Sequence, residues 1–175
     1  MATYVYIDNS NIYIEGCRVS AVNKGMAKNI YEAMGNGIVD HTWQPDYGKL
    51  YDFLCKDGDI ARLWGSPPPG DSFWDMLERK GFNPTVYEKN ASNQEKKVDV
   101  AVAHRMTKDA YTLIDRDHDE ILLVAGDTDY LPVITDLITE GFKFEIAFWD
   151  HLARDLKIAA TNHIKLDAHH EHLTR

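Results

Sequence analysis

Six short runs of β-branched and aromatic residues, Tyr4–Ile7, Ile60–Trp64, Thr85–Tyr87, Ile121–Val124, Phe144–Phe148 and, more weakly, Ile164–Leu166, recur along this chain with helix-length segments between them. Short apolar runs of this kind suit strands covered on both faces, and strands joined through helices lie parallel rather than folding back as hairpins. The pattern constrains the chain to an α/β fold: a central, mostly parallel sheet in a three-layer domain flanked by helices. Helix ends are legible too. One helix is expected from an N-cap at Asp71 or Ser72 up to Gly81, and another from near Tyr130 up to Gly141. From Val98 to Leu113, the residues Val98, Val102, Met106, Ala110 and Leu113 recur at helical spacing, with Arg105, Lys108 and Asp109 off that stripe and Asp99 in the first turn.

With 175 residues, 44% of them hydrophobic, the chain is expected to form a single domain over 1–175. Residues 16–45 carry Gly25, Gly35 and Gly37 among polar residues and read as an irregular insertion, a lid or a substrate-facing segment. Residues 168–175 read as a short polar C-terminal tail whose His169, His170 and His172 are solvated, and His104 and His151 fall in expected helices. Ser66 to Gly70, with three prolines between them, reads as a stiff loop. No apolar run approaches the roughly 20 residues of a membrane span, and the N-terminus has no basic-then-apolar signal pattern, so a soluble, cytoplasmic protein is expected. Cys17 and Cys55 lack metal or redox spacing and read as buried thiols. The formal charge of −9 argues against a general nucleic-acid coat; any polyanion must be held locally.

Three acidic motifs carry the chemistry. Asp8-Asn9-Ser10-Asn11 follows the first strand, Asp99 closes Lys96-Lys97-Val98-Asp99, and Gly126-Asp127-Thr128-Asp129-Tyr130 follows the fourth. Each alone has an ordinary structural explanation: Asp and Asn shape turns, Asp and Thr cap helices, and an acid in a first helical turn is favoured by the dipole. Two of the motifs, however, stand at the carboxyl ends of strands, where open parallel sheets bind ligands. Carboxylates gathered there repel one another unless some are protonated or a hard cation such as Mg²⁺ or Mn²⁺ lies between them. Asp8, Asp99, Asp127 and Asp129 are therefore the candidate metal ligands.

The combined pattern resembles the NYN domain family of PIN-like ribonucleases: D-x-S-N after strand one, K-x-V-D opening a central helix, and G-D-x-D-[YF] after a later strand. The resemblance runs from Tyr4 to about Leu166 and includes Leu131-Pro132, Gly141 and Ile164-Lys165-Leu166-Asp167. It implies a PIN-like fold and metal-dependent cleavage of RNA, with the four aspartates on the family's acidic positions. Two departures stand out. Ala125-Gly126-Asp127-Thr128-Asp129 replaces the family's frequent Ser-Gly-Asp-Gly-Asp, and Ala160-Thr161-Asn162 stands where members often carry a late Ala-Asp pair.

Cleaving a phosphodiester needs an activated attacking oxygen and stabilisation of phosphoryl charge, which one or two Mg²⁺ or Mn²⁺ ions supply. Asp8 and Asp127 are expected to bind metal directly and Asp99 to complete the shell, while Asp129 ligates or orients a water. Ser10, Asn11, Lys97 and Thr128 are the expected substrate contacts. Lys89, Arg105 and Lys108 add charge nearby, and Lys24, Lys28, Tyr13, Trp43 and Tyr47 offer a surface for single-stranded or locally unpaired RNA. A homodimer is compatible with this reading. A phosphotransfer domain fits less well, because Ser10 takes the place of the second dehalogenase-type aspartate and the fifth strand ends in Trp149-Asp150 rather than in a lysine. The main alternative is a catalytically inactive PIN-like module that binds RNA or protein.

Overall fold

A computed structural model of the protein describes residues 1–66, 70–87 and 94–175, without the side chains of 94–96. Six strands, β1 (Thr3–Asp8), β2 (Ile60–Gly65), β3 (Phe82–Val86), β4 (Glu120–Val124), β5 (Lys143–Phe148) and β6 (Asn162–Lys165), form one sheet in the order β3-β2-β1-β4-β5-β6. Every neighbouring pair is parallel. The helices are α1 (Asn9–Asn23), α2 (Ile30–Asn36), α3 (Tyr47–Leu54), α4 (Asp71–Lys80), α5 (Gln94–Thr112), α6 (Leu131–Thr139), α7 (Arg154–Ala159) and α8 (His170–Leu173). They cover the sheet on both faces, giving the expected α/β three-layer arrangement.

The central strands are the most apolar because they have no free edge or face: Val5, Tyr6, Ile7, Ile121, Leu123 and Val124 are all fully buried. Edge strand β3 begins at Phe82, earlier than the apolar run suggested, and accommodates Pro84, which an interior strand would not tolerate. The sheet order reverses direction between β1 and β4. Chain growth runs outward from β1 through β2 and β3, then returns to β4 on β1's other side. Such a switch leaves a crevice outside the carboxyl ends of the two central strands.

Several expectations need correction. Residues 16–45 are not an irregular insertion throughout: α1 continues to Asn23 and α2 occupies Ile30–Asn36. Gly16 is buried in the middle of α1 because a Cβ there would lie 2.4 Å from Trp43 and 2.9 Å from Trp149. The C-terminal residues are docked, not a free tail. His170 is buried, its ring stacked 5.3 Å from Trp43 and tilted 5.7 Å from Trp149, and Thr174 accepts a 2.9 Å hydrogen bond from Trp43 Nε1. Helix α4 starts with Asp71 already inside it, and Gly70 occupies the cap position. Helix α5 starts at Gln94, so Asp99 lies beyond its first turn.

The apolar stripe of α5 is as expected through Ala110, but Leu113 is 52% exposed and Ile114 takes its place in the core. Asp109, expected off the stripe, is fully buried, and β2 explains why. Arg62 Nε reaches it at 2.9 Å, Arg105 Nε ion-pairs at 2.8 Å, and Tyr6 Oη donates at 2.9 Å. A buried carboxylate survives only with such partners, and these fasten α5 across β1 and β2. His151 lies in the turn after β5, not in a helix, at 2.8 Å from Glu15. Both cysteines are buried, and burial pushes the Cys55 thiol up to about 12, in keeping with inert thiols. Residues 67–69 of the proline loop, and Lys89, lie outside the described residues.

Candidate active site at the carboxyl rim of the sheet

The β1–β4 crevice holds a cleft of about 450 Å³ whose lining includes Asp8, Ser10, Asn11, Asp99 and Asp127. Asp8 ends β1 and caps α1, its Oδ1 accepting from the Asn11 backbone N–H at 3.1 Å. Asp127 plays the same part after β4, capping the short 3₁₀ turn Thr128–Tyr130 by accepting from the Asp129 N–H at 2.9 Å. The structural role and the site role thus coincide, because each cap spends one carboxylate oxygen and these residues have two. Asn11 joins the two motifs: its Oδ1 accepts from the Gly126 N–H at 2.7 Å. Gly126 permits the approach of Phe148, whose Cε1 would lie 2.1 Å from any Cβ added there.

Asp99 arrives from α5. One oxygen each from Asp99, Asp127 and Asp129 lie within 4.8 Å of one another. Asp8 stands outside that trio but is tied to Asp99 through Tyr130, whose hydroxyl lies 3.2 Å from Asp99 Oδ1 and 3.4 Å from Asp8 Oδ2. Burial, the Asp8 charge and the Asp127 charge push Asp99 up to about 7. Burial chiefly, with the Asp127 charge added, also raises Asp8, against the opposing hydrogen bonds of Asn11, Asp99 and Tyr130. The metal-free cluster therefore relieves its repulsion by holding a proton near neutral pH. An all-oxygen, anionic donor set that retains protons for want of counter-charge fits a hard divalent cation.

The remaining expected residues divide. Ser10 and Asn11 line the cleft, whereas Thr128 is exposed on the 3₁₀ turn and Lys97 lines a neighbouring groove on the other side of α5. Trp43 and Tyr47 are buried core residues, so they do not offer the expected stacking surface for RNA, and the exposed Lys24 ion-pairs with Asp40 at 2.7 Å. Three cleft neighbours were assigned no role from sequence. Tyr130 was visible as the last position of its motif, but its bridging hydroxyl was not. Glu15 and Arg18 sit on α1 one and two turns beyond the first motif, ion-paired to each other and facing the same cleft. Arg18 Nε is buried without a hydrogen-bond partner among the described residues.

Comparisons agree with this architecture. No curated protein matches the chain. The fold is similar to the crystal structure of a protein of unknown function from Vibrio parahaemolyticus, with a TM-score of 0.65 over 94% of this chain and 93% of that one, at 13% identity. At that identity the likeness concerns the fold alone. The NYN domain matches residues 2–167, which takes in every strand and all three acidic motifs. With nearly its whole length covered by that match, the chain belongs to the NYN domain family and shares its PIN-like nuclease fold.

Proposed function

We propose that this protein is a divalent-metal-dependent ribonuclease that hydrolyses phosphodiester bonds in RNA. The observation that carries this reading is the convergence of carboxylates from three separate stretches of chain, with Asp99, Asp127 and Asp129 oxygens inside 4.8 Å. A surface that only binds a polyanion has no use for gathered negative charge. Asp99, Asp127 and Asp129, with Asp8 beside them, are the residues that would hold Mg²⁺ or Mn²⁺. When bound, such an ion supplies charge neutralisation at the phosphoryl oxygens and acidifies the attacking water.

The chain's own residues set the geometry. Tyr130 holds Asp8 and Asp99 in fixed orientation while adding no charge, and the Asn11 bridge to Gly126 keeps the first and third motifs from drifting apart. Arg18, anchored by Glu15, places a guanidinium on the cleft wall where a backbone phosphate can bind, with Ser10 offering a hydroxyl beside it. Asp8 is only 5% exposed, so the scissile phosphate must enter the cleft. A single-stranded or locally unpaired RNA does this more readily than a stiff duplex.

Incubation with mixed RNAs in Mn²⁺ or Mg²⁺ tests the reading. Cleavage that EDTA abolishes is the expected result. RNA that stays intact with every divalent ion, yet is bound, would overturn it in favour of an inactive RNA-binding module.

A further inference from the structure

Helix α5 has a further face beside the one it packs on the sheet. Lys97, Val100, Ala101, His104 and Arg105 are spaced i, i+3, i+4, i+7 and i+8, so they form one stripe beside the buried stripe of Val98, Val102 and Met106. At 100° per residue, Asp99 projects on the opposite side of that buried stripe. The helix therefore presents a carboxylate to the acidic cleft and a basic, partly apolar stripe to a groove against β2 and β3. That groove measures about 660 Å³, within the range of small-ligand sites. Its ionisable described lining is Lys97, His104, Arg105 and the phenol of Tyr87, with no carboxylate, on a chain of net charge −9.

The groove and the cleft lie on either side of α5 and are linked by the sheet beneath it. Asp8 of β1 pairs in register with Trp64 of β2, and Trp64 with Thr85 of β3. Register partners in parallel strands project on the same face, so these three residues form a row along the carboxyl rim, from the cleft floor to the groove floor. Two strand spacings separate its ends, about 10 Å. Trp64 is nearly buried and forms the floor; Tyr87 is half-buried, and Val100, 67% exposed, leaves apolar surface on the helix side.

We infer that this groove is a subsite for a nucleoside of single-stranded RNA, flanking the phosphate held in the acidic cleft. Half-buried Tyr87 supplies the aromatic face on which a base of any identity stacks, with exposed Val100 beside it and the nearly buried Trp64 closing the floor. Lys97 and Arg105 neutralise the adjoining phosphates, and Arg105 is held in place by its ion pair with buried Asp109 at 2.8 Å. The inference rests on the ribonuclease reading for its substrate class, but it concerns binding, so its test does not depend on cleavage.

The test measures fluorescence anisotropy of a labelled single-stranded RNA 12-mer with the whole protein in Ca²⁺. The double variant Val100→Glu/His104→Glu places two carboxylates at exposed helix positions that make no core contact. Its binding should weaken at least tenfold, and Lys97→Ala should lower the salt slope by about one. Mn²⁺ uptake by calorimetry and the melting temperature should stay at wild-type values, which separates a lost subsite from a lost metal centre or fold. A 4-thiouridine-substituted 12-mer should photocrosslink to the peptide containing Tyr87. Double-variant binding within twofold of wild type, or crosslinks confined to other surfaces, would overturn the subsite and leave the nuclease reading standing. RNA bound in this groove but never cut would overturn the nuclease reading and leave the subsite.

Discussion

At the scale of single residues, the cluster turns on how few protons are available to many oxygens. The Tyr130 hydroxyl lies between the Asp99 and Asp8 carboxylates, and its hydrogen bonds favour their charged forms, holding the pKa of both down against burial. Tyr130→Phe removes that effect and leaves the ring in the core. The pH midpoint of Mn²⁺ uptake should then move upward from its wild-type position, as measured by calorimetry across pH 5 to 9; an unchanged midpoint would remove Tyr130 from the centre. Asp127→Asn can still cap the 3₁₀ turn, because an amide oxygen accepts as well as a carboxylate. It should fold normally while metal-dependent RNA cleavage drops ~100-fold or more. Gly126→Ala forces a methyl group against Phe148 and should cost about 1–3 kcal/mol in urea unfolding.

Among the elements, α5 carries the most. It delivers Asp99 on one side and the basic stripe on the other, and its position depends on Asp109 between Arg62 and Arg105. Asp109→Ala leaves two guanidinium groups without their counter-charge and Tyr6 without its acceptor. A loss of about 3 kcal/mol in denaturant unfolding is expected, whereas Lys108→Ala on the exposed face should change little. The same helix shows what sequence patterning can and cannot convey. Val98, Val102 and Met106 were legible because apolar periodicity marks a core face directly. Asp109 was not, because its burial depends on an arginine 47 positions away in β2. Helix α1 is hidden for a different reason: much of its buried surface is small, Gly16 under Trp43 and Trp149, Ser20 on Asp40, and Ala21, and leaves no continuous apolar stripe. His170 likewise looks like a solvated tail residue until Trp43 and Trp149 are placed around it. The gathering of the four aspartates at one rim was legible because strand ends and motif spacing locate them without distant partners.

For the molecule as a whole, the raised acids set a pH dependence with a definite sign. An Asp99 that titrates near 7 when folded, against about 4 when unfolded, means that the native state holds more protons between those values. That contribution to stability is present at low pH and is lost as pH rises from about 4 to 7. The melting temperature of the metal-free protein should show this loss on top of its other titrations, and the stabilisation conferred by Mn²⁺ should be larger at pH 8 than at pH 5. A metal increment independent of pH would contradict the assignment of these carboxylates as ligands.

The reversal of strand order has a mechanical consequence. Asp8 belongs to the half-sheet β1-β2-β3, whereas Asp127 and Asp129 belong to β4-β5-β6, and Asp99 sits on the helix that crosses between them. A cation held at this cluster, as proposed above, would act as a rivet through the seam of the sheet. Stripping it with chelator should hasten amide exchange in β1 and β4 together, ahead of the outer strands.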